Sequence, residues 1–207
     1  MKSSEMRENP LFLRNEFSPE GRFEIPRMES IEPFDRGISL VSWADTRVND
    51  REENVHKGVH FFVDDYRFNG IYDHPETSLA KLKQYDFLLT PDFSLYAEMP
   101  LWRQVESVAR NRWVGAFWQS KGMLVVPTAS WSTPKSYQFC FEGIPSNSVV
   151  AVGMIGCKHS KYDFLKGYEA MLCATNPSQI IVFGEPFAEM EGNIIAVDYI
   201  KSRRVVR

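Results

Sequence analysis

Residues 148–184 read SVVAVGMIGCKHSKYDFLKGYEAMLCATNPSQIIVFG. The stretch opens on an apolar run, Ser148-Val149-Val150-Ala151-Val152, that stops at Gly153. A helical segment follows from about Tyr162 to Thr175, with Leu165, Tyr168 and Leu172 on its apolar side, and Asn176-Pro177 ends it. A second apolar run, Ile180-Ile181-Val182-Phe183, stops at Gly184. Neither run alternates apolar with polar residues. Strands buried on both faces look like this, as in parallel sheets covered by helices. The stretch is one strand–helix–strand unit.

Outward from that unit the pattern repeats. Towards the N-terminus, strands are expected at Ile38–Ala44, Val59–Val63, Phe87–Leu89 and Met123–Val126. Pro75-Glu76-Thr77 starts a short helix through Lys83. Pro100 suits the first turn of a longer one, Leu101 to Ser120, stopped by Gly122. Its three tryptophans, Trp102, Trp113 and Trp118, are expected to pack inward or against the N-terminal segment. A last strand falls at Ile194–Val197. Residues 1–36 carry Pro10, Pro19, Pro26 and Pro33 and no clear period, so they read as an irregular leader packed on a single βα-repeat domain, 37–207. That leaves about 170 residues for the repeats, short of the ~250 of an eight-fold barrel. The fold class is α/β with mostly parallel βα repeats, either trimmed or incomplete TIM-barrel-like or an open parallel sheet. The first is favoured, because no glycine-rich nucleotide fingerprint marks a switch point.

Composition narrows the function classes. The 207 residues carry a formal charge of -3, so no global attraction to nucleic acid exists; 43% are apolar and 14% aromatic, enough for a core. Cys140, Cys157 and Cys173 have no metal-ligand spacing and read as thiols of a reducing, cytoplasmic setting. No run nears the ~20 apolar residues of a membrane span.

In either parallel architecture, chemistry gathers at the carboxyl ends of the strands. Those ends supply Trp43 and Asp45, then Asp64, Asp65 and Tyr66, then Asp92 and Ser94, then Thr128, Ser130 and Trp131, then Gly153 and Gly156, then Glu185. Four of the six carry a carboxylate. Converging carboxylates serve as acid, base or nucleophile, or hold a hard cation. Asp64, Asp65, Asp92 and Glu185 are the candidate catalytic set, with Asp92 first because Pro91 and Phe93 fix it in a rigid turn. Trp43, Asp45, Tyr66, Ser94, Thr128, Trp131, Gly153 and Gly156 are the candidate substrate contacts. Each also has a plainer reading, as a helix cap, a turn or core packing. Gly153-Met154-Ile155-Gly156 could cradle an anion through backbone N–H groups. The basic tail, Lys201, Arg203, Arg204 and Arg207, is either a solvated end or a phosphate contact. His56, His60, His74 and His159 show no metal spacing, so no metal site and no cofactor are assigned.

The segment Leu89-Thr90-Pro91-Asp92-Phe93-Ser94-Leu95-Tyr96 also carries a resemblance. With it go Met99-Pro100, Arg112, Gly115, Trp118-Gln119, Gly122, Val126-Pro127-Thr128, Trp131, Phe139-Cys140-Phe141-Glu142-Gly143-Ile144-Pro145 and Ser148–Val152. Together, over roughly residues 37–187, they resemble an uncharacterised family of phages and mobile elements, domain of unknown function 4417. That implies a mobile-element context and a set of positions, with no reaction attached. A looser, fold-level likeness is to the guanine transglycosylases, in which Asp92 and Gly153 would have counterparts but no zinc site would.

Three functions remain open: an enzyme acting on a nucleotide or nucleic-acid base, a non-catalytic factor that sequesters a nucleotide or binds a host protein, and a Mg²⁺-dependent phosphodiester hydrolase. The oligomeric state is open. No membrane partner is expected.

Overall fold

The apolar runs become strands, and alternate residues of each run face two different cores. The computed structural model describes residues 2–199 and Ser202. The leader contributes β1 (Pro19–Glu20) and β2 (Ile25–Pro26), paired antiparallel. The body contributes β3 (Leu40–Ser42), β4 (Gly58–His60), β5 (Phe87–Leu89), β6 (Val125–Val126), β7 (Val149–Gly153), β8 (Gln179–Phe183) and β9 (Ile194–Val197). β3 to β6 form one parallel sheet in chain order, and β7 to β9 a second. A parallel bridge between Thr128 and Ala151 joins the two, with Ala151 N–H donating to Pro127 O at 2.9 Å and Ala129 N–H to Ala151 O at 2.8 Å.

The combined sheet is strongly curled. The rings of His60, on β4, and Phe183, on β8, lie 4.2 Å apart although β5, β6 and β7 stand between them in the order. In a flat sheet those two strands would be about 19 Å apart. The α/β class and the parallel strands of the sequence reading are present. A closed barrel is not: among the described residues no pairing joins β9 to β3. Strands of two to four residues at β3–β6 and β9 offer few ladder bonds with which to complete one.

Curling divides the apolar side chains. Leu40, Phe87, Leu89, Val126, Val149, Ala151, Ile181, Phe183 and Val197 share the concave core. The alternating set faces the helices. Val41, Val59, Leu88 and Val125 meet Trp113, Val114, Phe117 and Trp118 of the helix Leu101–Ser120. Val150, Val152, Ile180 and Val182 meet Phe164, Tyr168 and Met171 of the helix Lys161–Thr175. Leu165 and Leu172, expected inward, sit at the edge of that face. Trp113 and Trp118 are buried, but Trp102 is 69% exposed: it belongs to the first turn, beyond the sheet edge. The expected helix Pro75–Lys83 is a 3-10 turn, Pro75–Ser78, followed by one α-turn, Leu79–Leu82.

The leader is tied down by paired bonds. Arg14 lies 3.9 Å over the Trp113 ring, and Phe17 meets that ring edge-on. The side-chain amide of Gln119 accepts from Glu29 N–H at 2.8 Å and donates to Glu29 O at 2.9 Å. Gln179 does the same for Phe34, at 2.9 and 3.0 Å. Ile31 N–H donates to Ser148 Oγ at 2.9 Å. Ser148 and Gln179 stand where β7 and β8 begin, so the leader crosses the N-terminal ends of the strands, with Ile31, Phe34 and Ile38 against the concave core. The C-terminal ends stay open. The basic tail residues Lys201, Arg203, Arg204 and Arg207 lie outside the described residues.

Replacing Gln179 by Ala removes both bonds to Phe34 from a buried site. Urea unfolding should show a loss of about 1–3 kcal/mol. An unchanged midpoint would mean that this strap does not hold the sheet.

Candidate functional site

β5 and β6 are each followed by two residues that keep them in step. Thr128 N–H donates to Thr90 Oγ1 at 2.7 Å, and Thr128 Oγ1 donates to Thr90 O at 3.0 Å. Asn111, from the long helix, donates to Pro91 O at 2.8 Å. This latch brings the next residues together: Ser130 Oγ donates to Asp92 Oδ1.

Both line a cavity of about 600 Å³ at the open ends of the strands. Phe62, Phe93, Leu95, Trp131, Phe164 and Gly153 supply its apolar wall, and Asp64, Arg67, Ser94, Tyr96 and Cys157 its polar one. Gly167 is required there: a Cβ would lie 2.1 Å from Trp131 Nε1, so a glycine lets Trp131 lie against the helix Lys161–Thr175.

Asp92 keeps some accessible surface on the cavity, yet its carboxyl is closely surrounded by protein. Burial pushes its pKa up to about 6; the Ser130 bond and the Arg112 charge work against this, and Asp65 works with it. Arg112 is fully buried. Its guanidinium donates to Thr128 O at 2.9 Å, Cys140 O at 3.0 Å and Glu142 O at 3.1 Å, and to Asn111 Oδ1. Burial lowers it to about 10. Burial, with the Asp92 charge second, pushes the Cys157 thiol up to about 11, so it is a protonated wall. His60 packs beside the stacked rings of Phe62 and Phe183, and burial lowers it to about 3. It is neutral, and its Nδ1 accepts from Phe62 N–H at 3.3 Å.

Of the acidic residues chosen from the sequence, Asp64 and Asp92 line the cavity. Asp65 stands behind it, accepting from Ser94 Oγ at 2.8 Å and Ser94 N–H at 3.2 Å. Glu185 is exposed, paired loosely with Lys158 at 3.7 Å, and takes no place in the cavity; Gly184, at φ 114°, turns the chain there. Ser94, Trp131 and Gly153 line the cavity as expected. Thr128 serves the latch instead. Trp43 stacks on Phe61, carries Lys81 Nζ 3.3 Å over its ring and donates to Arg67 O at 2.9 Å, so it steadies the loop that bears Arg67. Asp45, Tyr66 and Gly156 are exposed and off the cavity wall. In the Gly153–Gly156 turn the Met154 N–H is committed to Phe183 O, and just beyond it Cys157 N–H is committed to Met154 O. Among the described residues no three His, Cys, Asp or Glu side chains group as a metal site would need. Arg67 and Tyr96 were not singled out from the sequence, though both follow strand ends. Ser130 was noted there but not ranked, because a serine in a loop carries no distinguishing signal.

Two outcomes are expected. Arg112→Met leaves the Cys140 and Glu142 carbonyls without their donor, and Thr128 O with only a 3.5 Å bond from Asn111, and should cost about 3 kcal/mol or more in denaturant unfolding. Asp92→Asn should raise stability near neutral pH. Between 3.8 and about 6 the folded state keeps the Asp92 proton and the unfolded chain does not. Folding is therefore penalised increasingly as pH rises through that window, by up to about 3 kcal/mol above it. The gap between variant and wild type should close by about pH 4; a variant less stable at neutral pH would make Asp92 a structural anchor.

Comparison with known proteins places the chain among phage proteins. It is 40% identical over 179 residues to the gene 1 protein of Mycobacterium phage L5, covering 84% of this chain and 77% of that one. To the gene 1 protein of Mycobacterium phage D29 it is 37% identical over 177 residues, covering 84% of this chain and 65% of the relative. No solved structure matches. Among the described residues no helix is long and apolar enough to cross a membrane. The matching family model spans residues 17–200, so it takes in half of the leader, which the sequence reading placed outside the resemblance. The chain belongs to the family described as domain of unknown function DUF4417.

Proposed function

We propose that this phage-family protein acts on a nucleotide or nucleic-acid base held in the cavity at the strand ends, with Asp92 as acid–base or nucleophilic group. The observation that carries the reading is Asp92 itself: a carboxyl on the cavity wall, held by Ser130 and raised by burial to about 6. Near neutral pH such a group exchanges a proton readily with a ring nitrogen or exocyclic group of similar basicity. Ionised, a carboxylate here can bond to an anomeric carbon as the glycosidic bond to the base breaks, the base leaving with the electron pair and taking up a proton.

The walls support a flat heterocycle. Phe62, Trp131 and Phe164 offer ring faces and edges, and the volume falls within the ~300–1,000 Å³ of small-molecule sites. Asp64 assists from the polar side, and Asp65 acts through Ser94. Glu185 is left out of the set. Parallel strands in sequence order, curled but unclosed, fit an incomplete barrel, whose site would lie at this same end. The sequestering factor differs from this reading only in lacking turnover.

Calorimetric titration with nucleoside 5′-monophosphates and free nucleobases, followed by mass spectrometry of the mixture, tests it. At least one ligand should bind and be converted, with Asp92→Asn folded and slower by about 100-fold or more. Binding without conversion would leave the sequestering factor. Full turnover by Asp92→Asn, or binding of none of these ligands and of no single-stranded oligonucleotide, would sink the proposal.

A further inference from the structure

Twelve large apolar side chains are exposed among the described residues, and five of them share one end of the strands. Tyr66, Tyr96, Ile155, Tyr162 and Tyr199 all follow strand C-termini or open the helix after one, and so stand at the end that holds the cavity. Tyr96 and Ile155 line its mouth. Tyr66 precedes Arg67, which also lines it. Tyr162 precedes Phe164 of the wall by two residues. Tyr199 meets Phe183 edge-on at 4.9 Å, and Phe183 stacks on Phe62 of the wall. Four of these five are tyrosines, at 43–72% exposure. Exposed tyrosines serve protein interfaces as well as nucleic acid, so the cations beside them and the cavity between them decide the partner. Separate aromatic faces around a hole suit stacking of successive flat groups.

Charge points the same way. Arg67 lies 5.3 Å from the centre of the Tyr66 ring, and Lys166 Nζ lies 4.3 Å from that of Tyr162. Among the described residues neither cation has a carboxylate within ion-pair distance, whereas Lys158 and Lys161 pair with Glu185 and Glu189. Asp64 is the acid on the cavity wall nearest in sequence to Arg67. A ring with a cation beside it occurs at Tyr66–Arg67, where Arg67 lines the cavity, and at Tyr162–Lys166 on the helix that carries Phe164 of the wall, and each offers a base face and a phosphate contact together.

We infer that the rim is a binding track for single-stranded nucleic acid, which presents one base to the cavity while its neighbours stack on the rim tyrosines. The inference rests on the reading of the cavity as a base site and names its substrate as a strand rather than a free nucleotide. A base within a duplex would first have to be unstacked and unpaired, a cost that a single strand largely avoids.

Fluorescence anisotropy with labelled DNA and RNA single strands of about a dozen nucleotides tests this, with the matching duplexes and a nucleoside monophosphate as controls. Tyr162→Ala/Lys166→Ala, outside the cavity wall, is the rim variant, and Tyr66→Ala a second. A single strand should bind at least tenfold tighter than its duplex and than the monophosphate. The DNA and RNA arms show which sugar is preferred. Each rim variant should weaken strand binding tenfold or more, and Tyr162→Ala/Lys166→Ala should leave monophosphate binding unchanged. Strand binding that is no tighter than monophosphate binding, or that ignores both rim variants, overturns the inference and leaves the cavity reading standing. Binding of neither strand nor monophosphate overturns both.

Discussion

The guanidinium of Arg112 lies under the site with no access to water, and its neighbours are arranged to satisfy it. An isolated charge buried in this way would cost several kcal/mol. Three main-chain carbonyls and Asn111 offset that cost. Those carbonyls belong to Thr128, just after β6, and to Cys140 and Glu142, in the long connection to β7. One side chain of the Leu101–Ser120 helix thereby fixes the loop that carries Ser130 and the connection that closes the core beneath it. Asn111, its neighbour, fixes Pro91. The two residues together set the spacing between Asp92 and Ser130, so the most chemically distinctive contact in the molecule depends on a helix that does not itself reach the cavity.

That dependence also explains the long helix as a sequence. Gln104, Ser107, Asn111 and Arg112 are all buried, on a helix whose inner face would ordinarily be apolar. The helical period is blurred because the helix buries polar work as well as hydrophobic surface. Gln104 Oε1 accepts from Ser132 Oγ at 2.6 Å, adding a tie to the same loop.

Much of the fold was legible because burial on both faces leaves a plain mark. Val149–Val152 and Ile180–Phe183 alternate between the concave core and the helices, and both sides are apolar, so the runs are uninterrupted. Curvature left no such mark. It follows from contacts between residues far apart in the chain, such as His60 with Phe183. The site was legible to the extent that position followed strand ends: Asp64, Asp92, Ser94, Trp131 and Gly153 reach the cavity. Glu185 does not, because one residue earlier Gly184 adopts a backbone angle that pattern alone cannot reveal. Trp43 and Thr128 sit at strand ends too, and hold the frame instead of the cavity. Residue type could not separate those roles; their hydrogen bonds do.

The leader gives the molecule its polarity. Parallel strands leave two unlike ends, and here one is covered by a segment whose backbone is read by Gln119 and Gln179 in both directions, N–H and C=O. A side-chain amide that pairs with a peptide in this manner takes the place of a neighbouring strand. With Ile31, Phe34 and Ile38 seated on the concave core, the space between the strands is closed from below. The cavity lies at the other end. At that end, burial of the carboxyl beside Ser130 holds back the ionisation of Asp92. The leader and Asp92 stand at opposite ends of the strands: packing closes one end, and the cavity opens at the other.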